Sequence, residues 1–269
     1  MKNYSALVLT GIIITSNVSA NETSTIKKSL ELFEKGSYTK VLESLSSLRE
    51  TNAVKSTKYY LTALSHNRLQ EYDKAVPFFI KAIKAKSVAK DIYYEYGQAL
   101  YASNELVKAR IAFKRSASMD YKKDSSIYYV AHISQILEEN KEAKTYYSQL
   151  LRSETAEPNL RQVSRFQIGE VLLSMARVNE DSQRLVKQFV LPQMDKAVEE
   201  DKDSSLAKEI KSRKNEIEKE FGLDPNILYN GKRIPSKRWN LSFTQDIGHD
   251  SNISLTNDLP SSAASREES

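Results

Sequence analysis

Three tyrosines recur at a fixed interval of 34 residues along the chain: Tyr60, Tyr94 and Tyr128. A tyrosine ring has a flat apolar face and a hydroxyl group, which together suit the binding of an extended polypeptide. The same ring also fills the space between packed helices, so packing is the alternative role for this row. The tyrosines therefore indicate either a binding surface or a core, and the sequence leaves both open.

The residue types that carry catalysis form no recognisable site. The histidines His66, His132 and His249 are far apart, with no Asp or Glu at the spacing of a metal site. The sequence has no Gly-rich phosphate loop and no G-x-S-x-G or H-E-x-x-H motif. We therefore expect a protein that is not an enzyme and that uses no metal and no cofactor.

Composition favours a mostly helical protein. The chain has 269 residues, of which 28% are charged, with only 7 Gly, 6 Pro and no Cys. Few turn residues suit a stack of helices better than a large sheet, and the lack of Cys excludes disulfides and thiolate sites. The net charge is +5. Because acidic and basic residues are interspersed, no charge block suggests nucleic acid or an anionic membrane surface.

The N-terminus has the pattern of a secretory signal peptide. A basic start at Lys2 precedes an apolar run over residues 6–15, and small residues end at Ala20. The apolar run is too short to span a bilayer, and it lacks the period of an amphipathic buried helix. We predict a signal peptide over residues 1–20 and export to the periplasm, with a mature chain that starts at Asn21.

Four segments of the chain repeat one pattern, which positions the tyrosines. The segments start 34 residues apart, at Gly36, Gln70, Asn104 and Glu138. A small or β-branched residue follows five positions later, at Val41, Ala75, Ala109 and Ala143. A large residue follows four positions further on, at Leu45, Phe79, Phe113 and Tyr147. Small residues let antiparallel helices approach closely, and large ones fill the space between hairpins.

This pattern resembles the tetratricopeptide repeat (TPR), with four units over residues 21–157. The resemblance implies an all-α fold, a right-handed TPR superhelix (α-solenoid). Over residues 158–222 the register loosens, and we predict an irregular fifth unit followed by a capping helix. Pro192 must kink a helix or begin one there, and Gly222 is a helix stop signal. A linker is predicted over residues 223–237.

The TPR resemblance also implies a partner-binding groove, because the first helix of each unit lines the concave surface of such superhelices. In this sequence, the groove positions of the repeat are occupied by Tyr60, Leu64, Asn67, Tyr94, Gln98, Tyr101, Tyr128, His132 and Gln135. Arg68 lies beside this row and has two possible roles, pairing with a partner's carboxylate or simple solvation. Asn and Gln side chains hydrogen-bond a peptide backbone, so the expected partner is a protein or peptide.

The C-terminal part changes from a helical to an alternating pattern. Trp239, Leu241 and Phe243 fall on one face of a predicted strand, and polar residues fall on the other. Residues 238–257 resemble the first strand or strands of TPR-containing outer-membrane β-barrels, such as surface lipoprotein assembly modulators and exopolysaccharide export porins. A barrel needs about eight strands or more. We predict a short β or disordered tail that ends in a disordered segment over residues 258–269.

Together these patterns predict a non-enzymatic periplasmic scaffold that binds a protein or peptide and no nucleic acid. The resemblance implies that it is the arm of an outer-membrane export or assembly barrel, associated with the outer membrane if the barrel is present. The alternative is a free-standing soluble periplasmic TPR adaptor in envelope assembly or motility. Both versions use the same groove.

Overall fold

The computed structural model describes residues 19–223 and the backbone of residues 228–229 and 232–233. Most of the predicted signal peptide lies outside the described residues, as do the predicted barrel strand over 238–257 and the tail over 258–269. The helices, in chain order, are α1 Ala20–Glu34, α2 Tyr38–Ser46, α3 Lys55–Arg68, α4 Tyr72–Lys84, α5 Ile92–Ala102, α6 Leu106–Ser118, α7 Lys123–Ile136, α8 Asn140–Leu151, α9 Pro158–Arg177, α10 Ser182–Leu185, α11 Leu191–Glu200 and α12 Ser205–Glu220.

The first eight helices form four hairpins, α1–α2, α3–α4, α5–α6 and α7–α8, each joined by a short turn. Consecutive helices pack on one another along the whole series. Since each hairpin contacts mainly its neighbours, the core is a continuous row of side chains between hairpins. The arrangement confirms the predicted all-α solenoid. No helix of residues 19–223 is both long and apolar enough to cross a bilayer.

Small residues hold the hairpins together as the sequence predicts. Ala75, Ala109 and Ala143 are completely buried. Gly97 on α5 faces the ring of Phe113 on α6, where a Cβ atom would lie 3.0 Å from two ring carbons. A side chain at this position would push the ring away, so glycine sets the spacing between α5 and α6.

The turns inside the hairpins also repeat. Each first helix is followed by a residue in the left-handed conformation: Gly36 (φ 71°), Gln70 (φ 61°), Asn104 (φ 58°) and Glu138 (φ 60°). The next backbone N–H then donates to a carbonyl five residues back, as Glu71 does to His66 at 2.9 Å. This Schellman-type bond satisfies a carbonyl at the helix end and reverses the chain direction.

The part after α8 is less regular. A π-helical turn, Val186–Val190, connects α10 to α11. Pro192 has no N–H to donate, and its ring clashes with the carbonyl four residues back, so the wider turn before it accommodates the proline. The N–H of Leu191 donates instead to the carbonyl of Val186, five residues back. Gly169 on α9 packs against Met194 on α11, where a Cβ atom on the glycine would lie 2.8 Å from the Met194 Cε.

Two helix ends have side-chain caps. Ser19 caps α1 and forms a capping box with Glu22, in which each side chain bonds the other residue's backbone N–H. Glu22 also accepts a hydrogen bond from the Thr51 hydroxyl at 3.1 Å. Ser204 caps α12 by accepting from the N–H of Ala207 at 3.0 Å. Gly222, with φ of 63°, follows the end of α12.

A separate short element lies within residues 223–237, where the sequence predicts a linker. The strands β1 Leu228–Tyr229 and β2 Lys232–Arg233 pair antiparallel. Leu228 lies opposite Arg233, and Tyr229 lies opposite Lys232. The paired strands precede the predicted barrel strand in the sequence.

Candidate functional site

A pocket of about 290 Å³ opens on the surface formed by the first helices of consecutive hairpins. Its lining residues come from α3, α4, α5 and α7, and they are Asn67, Arg68, Tyr72, Gln98, Tyr101, Ala102 and Tyr129. Four of these residues, Asn67, Arg68, Gln98 and Tyr101, are among the residues predicted for the groove. The structure therefore brings four of the ten predicted groove residues together at one pocket.

An ion pair forms one wall of the pocket. The Arg68 guanidinium donates to both oxygens of Glu95, with Nη1 2.7 Å from Oε2 and Nη2 3.0 Å from Oε1. The Asn67 amide donates to the same carboxylate at 3.0 Å. The Glu95 side chain is only 7% exposed, so its charge is compensated almost wholly by these two residues. Arg68 is thus committed to a carboxylate of its own chain.

Burial and the ion pair act in opposite directions on Arg68. Burial alone lowers the pKa of the Arg68 guanidinium, but the hydrogen bonds and charge of Glu95 outweigh it and raise that pKa. The guanidinium therefore keeps its charge at any pH at which the protein is folded. The pair presents almost no net charge to a molecule in the pocket.

Three predicted groove residues lie in the core and not at the pocket. Tyr60 and Leu64 are buried between α3 and its neighbours, and Tyr94 is 6% exposed. The Tyr60 hydroxyl donates to the Asp91 carboxylate at the start of α5. Tyr94 packs edge-on against Phe113, with ring centroids 5.7 Å apart. The structure thus assigns these side chains to packing, the alternative that the sequence left open.

The remaining predicted residues form an aromatic wall beside the pocket. The His132 ring stacks on Tyr128, with centroids 6.0 Å apart and planes within 8°. His132 Nε2 lies 3.1 Å from the Tyr101 hydroxyl, so Tyr101 connects this wall to the pocket. Burial raises the pKa of Tyr128 to about 12. Gln135 is occupied within the chain, because its Oε1 accepts from the Tyr147 hydroxyl at 2.9 Å.

Three lining residues were not predicted from the sequence: Tyr72, Ala102 and Tyr129. Tyr129 occupies a repeat position that holds Leu61 and Glu95 in the two units before it. Since the side chains at this position differ from unit to unit, no periodic signal marks it. Tyr129 stacks on Phe113 at 4.4 Å, so it reaches the pocket from a packed core position.

The pocket offers hydrogen bonds and aromatic faces. Gln98 supplies an amide, and Tyr72 and Tyr101 supply hydroxyls and rings. His66 contacts Glu71 at 2.6 Å and lies outside the pocket. Over the part of the chain that the structure describes, no group of three His, Cys, Asp or Glu side chains is placed to hold a metal ion. The geometry suits the binding of a polar, uncharged chain segment.

Comparison with known proteins shows the fold. No protein-family model matches the chain, and no curated protein sequence matches it significantly. Among solved structures it is similar to YrrB, described as a TPR protein with an unusual peptide-binding site. The similarity has a TM-score of 0.58 at 17% identity, and it covers 72% of this chain and 94% of YrrB. The predicted TPR solenoid is therefore confirmed.

A second solved structure, a TPR repeats protein from Bacteroides fragilis, gives a TM-score of 0.41 at 12% identity. That comparison covers 74% of this chain and all of the other. A score this low adds nothing to the fold assignment, which rests on the similarity to YrrB and on the helical hairpins.

Proposed function

We propose that this protein is a non-enzymatic scaffold that binds an extended polypeptide segment at the pocket between α3, α5 and α7. The observation that carries the proposal is the lining itself, which combines the Gln98 amide with the hydroxyls and rings of three tyrosines. An extended backbone has unpaired N–H and C=O groups, and these side chains supply matching donors and acceptors. YrrB, with the same fold, is described as having a peptide-binding site, which supports this ligand class.

The size of the site fits a short segment. Packed helices lie about 8–10 Å apart, so a ligand that contacts the first helices of three units covers about 20 Å. An extended chain covers about 3.3 Å per residue, which gives a segment of about six residues. Such a segment makes enough contacts for micromolar binding without a large interface.

Binding at the pocket is tested by site-specific photocrosslinking in the native cell. A photoreactive residue at Gln98 is expected to give one or a few discrete polypeptide adducts, since Gln98 lines the pocket. The matched control is Lys144, an exposed residue on α8 that does not line the pocket. Adduct patterns that are identical at the two positions contradict the proposal. Melting curves of both variants verify that the fold is intact.

We further propose a periplasmic location, with the scaffold serving as the arm of an outer-membrane export or assembly barrel. The signal-like N-terminus and the alternating pattern after Lys237 support this proposal. The alternative is a free-standing periplasmic adaptor. Cell fractionation separates the two, because an adaptor leaves the cell in osmotic-shock fluid and a barrel arm stays with the outer membrane. Recovery in the cytoplasm contradicts both.

A further inference from the structure

Two turns lie side by side at one edge of the solenoid. The turn over residues 85–91 connects α4 to α5, and the turn over residues 119–122 connects α6 to α7. Tyr94, near the start of α5, contacts Tyr121 of the second turn with ring centroids 6.0 Å apart. Lys122 Nζ lies 4.4 Å from the centroid of the Tyr94 ring. The repeat thus joins two segments that are about 30 residues apart in the sequence.

This edge is rich in cations. We call it the basic edge, and its cationic residues are Lys81, Lys84, Lys86, Lys90, Arg115, Lys122 and Lys123. Within residues 19–223, Lys84, Lys86 and Lys90 are exposed and have no carboxylate within 4.0 Å. Unpaired like charges at this density repel one another and weaken folding unless an anion offsets them.

At the opposite ends of α4 to α7, the turns have acidic residues that pair with cations. Glu71 pairs with Lys74 at 2.9 Å, and Glu105 pairs with Lys108. Glu139 pairs with Arg110 from the neighbouring hairpin. Since Glu71, Glu105 and Glu139 each have a cationic partner, the excess of cations is a property of the basic edge and not of the repeat in general.

Helix stability does not account for the cations of the basic edge. Lys84 and Arg115 lie in the last turns of α4 and α6, where a cation interacts favourably with the helix dipole. Lys123 begins α7, and it pairs with Asp120 of the second turn at 3.5 Å. Lys86 and Lys90 lie outside the helices, so the helix dipole does not account for them. These positions indicate an external anion.

Both turns also expose an apolar side chain. Val88 is 57% exposed and lies between Lys86 and Lys90. Met119 is 41% exposed and starts the second turn. Large apolar side chains beside exposed cations match the interface of a lipid bilayer, where phosphate lies directly above hydrocarbon. An acidic polypeptide would account for the cations but not for the apolar tips.

We propose that the basic edge binds the surface of an anionic lipid bilayer, with Val88 and Met119 entering the headgroup region and the cations at the lipid phosphates. Lysine stems lie along the apolar boundary while their ammonium groups stay at phosphate level. The attraction combines charge with apolar burial, so it weakens but does not vanish at high salt. This surface is separate from the pocket, and the proposal is independent of peptide binding.

The test is co-sedimentation of the full chain with vesicles of phosphatidylglycerol and with vesicles of phosphatidylcholine. We expect binding to the first and much weaker binding to the second. The variant Lys84→Glu/Lys86→Glu/Lys90→Glu should bind phosphatidylglycerol vesicles at least about tenfold more weakly, since each cation near the surface contributes to the attraction. Val88→Asp should weaken binding about threefold to tenfold, because it removes an apolar anchor and adds an anion.

Matched controls separate the site from overall charge and hydrophobicity. Lys202→Glu/Lys208→Glu/Lys211→Glu makes the same charge change at exposed positions in and before α12 and should bind as the unaltered protein does. Ile111→Asp alters an apolar side chain that is 63% exposed on α6, away from the two turns, and should also bind normally. Thermal unfolding of every variant verifies the fold.

Two results overturn the proposal. One is equal sedimentation with both kinds of vesicle, or with neither. The other is loss of binding on charge reversal but not with Val88→Asp, together with full competition by soluble polyglutamate, which assigns the basic edge to an acidic polypeptide instead.

Discussion

The regular hairpins and the part after α8 solve one packing problem in two ways. In the hairpins, the close approach of α5 and α6 places Gly97 against the rigid ring of Phe113. In the later part, the approach of α9 and α11 places Gly169 against the flexible end of Met194. A ring fixes the distance between helices, whereas a thioether adapts to it. The regular part is therefore specified tightly, and the irregular part tolerates the π-helical turn and Pro192.

The largest difference in stability between the two parts is expected when the side chain that faces each glycine, Phe113 or Met194, is truncated to alanine. Phe113 is fully buried and stacks on Tyr129, so Phe113→Ala should lower the free energy of unfolding by about 4 kcal/mol. Met194→Ala should cost about 2 kcal/mol, since its flexible surroundings close part of the cavity. Urea unfolding of the two variants measures both values. A larger loss for Met194→Ala would reverse the comparison.

The second-largest difference is expected between two bidentate ion pairs, one from each part of the protein. Arg68→Met leaves Glu95, at 7% exposure, without its main partner and should cost about 3 kcal/mol. Arg213 makes a similar pair with Glu170 in the later part, at 3.0 and 3.2 Å, but the Glu170 side chain is 22% exposed, against 7% for Glu95. Arg213→Met should therefore cost about 1 kcal/mol or less. The double variant Arg68→Met/Glu95→Leu should regain most of the loss, and failure to do so contradicts the explanation.

Substitution of the two glycines by alanine should have smaller effects on stability. Gly97→Ala forces the Phe113 ring to shift, and that cost exceeds the gain in helix propensity, so we expect a loss of about 1 kcal/mol. Gly169→Ala needs only a rotation of the Met194 end, and the propensity gain should make it about neutral. Melting temperatures measured side by side decide the matter. Equal effects would show that the ring is no more rigid than the thioether.

The pH dependence should have opposite signs in the two parts. Burial raises the pKa of the Asp91 carboxyl above 3.8 in the regular part. For Glu200 after α8, burial also acts to raise the pKa, but hydrogen bonds from Arg165 and Arg161 outweigh it, and the pKa falls below 4.5. A raised carboxyl pKa makes the folded state lose stability as pH rises through the shifted range, and a lowered one makes it gain.

Unfolding between about pH 3 and pH 7 tests these signs. Asp91→Asn should become more stable relative to the unaltered protein as pH rises from 3.8, because the variant has no carboxyl to ionise. Glu200→Gln should become less stable relative to it as pH rises towards and above 4.5. Parallel curves for the two variants would contradict the assignment.

The fold was predictable because small and large side chains recur at fixed positions of the repeat. Ala75, Ala109 and Ala143 recur where helices must approach closely, and large residues recur where space must be filled, so one unit predicts the next. The later part was predictable only in outline. Pro192 shows that a helix must break near it, but the π-helical turn depends on how α9 and α11 pack, which no local pattern encodes.

The site was predictable only in part for a related reason. The repeat identifies which positions face the neighbouring hairpin, but it does not tell a buried position from an exposed one. Tyr60 and Tyr94 therefore belong to the core, although they share their repeat position with the half-buried Tyr128. The ion pair between Arg68 and Glu95 joins residues 27 apart in the sequence, and no sequence pattern predicts it.

The clustering of cations at the basic edge was also not predictable from the sequence. In the sequence its cations are interspersed with acidic residues, and nothing suggested a membrane surface. Folding separates them, because Asp91 is buried against Tyr60 while Lys90 stays in solvent. Charge patterns in repeat proteins are thus set by the arrangement of turns and not by runs along the chain.

The capping box of α1 lies directly at the cleavage site that the sequence predicts. Removal of a leader after Ala20, where the sequence predicts cleavage, would take Ser19 away and leave a charged amino group on Asn21. The first turn would lose its cap and gain an unfavourable cation at the helix start. Glu22 would keep its bond to Thr51. Precursor and processed chain would then differ in how firmly their first turn is held, so amide exchange in residues 21–25 would report processing directly.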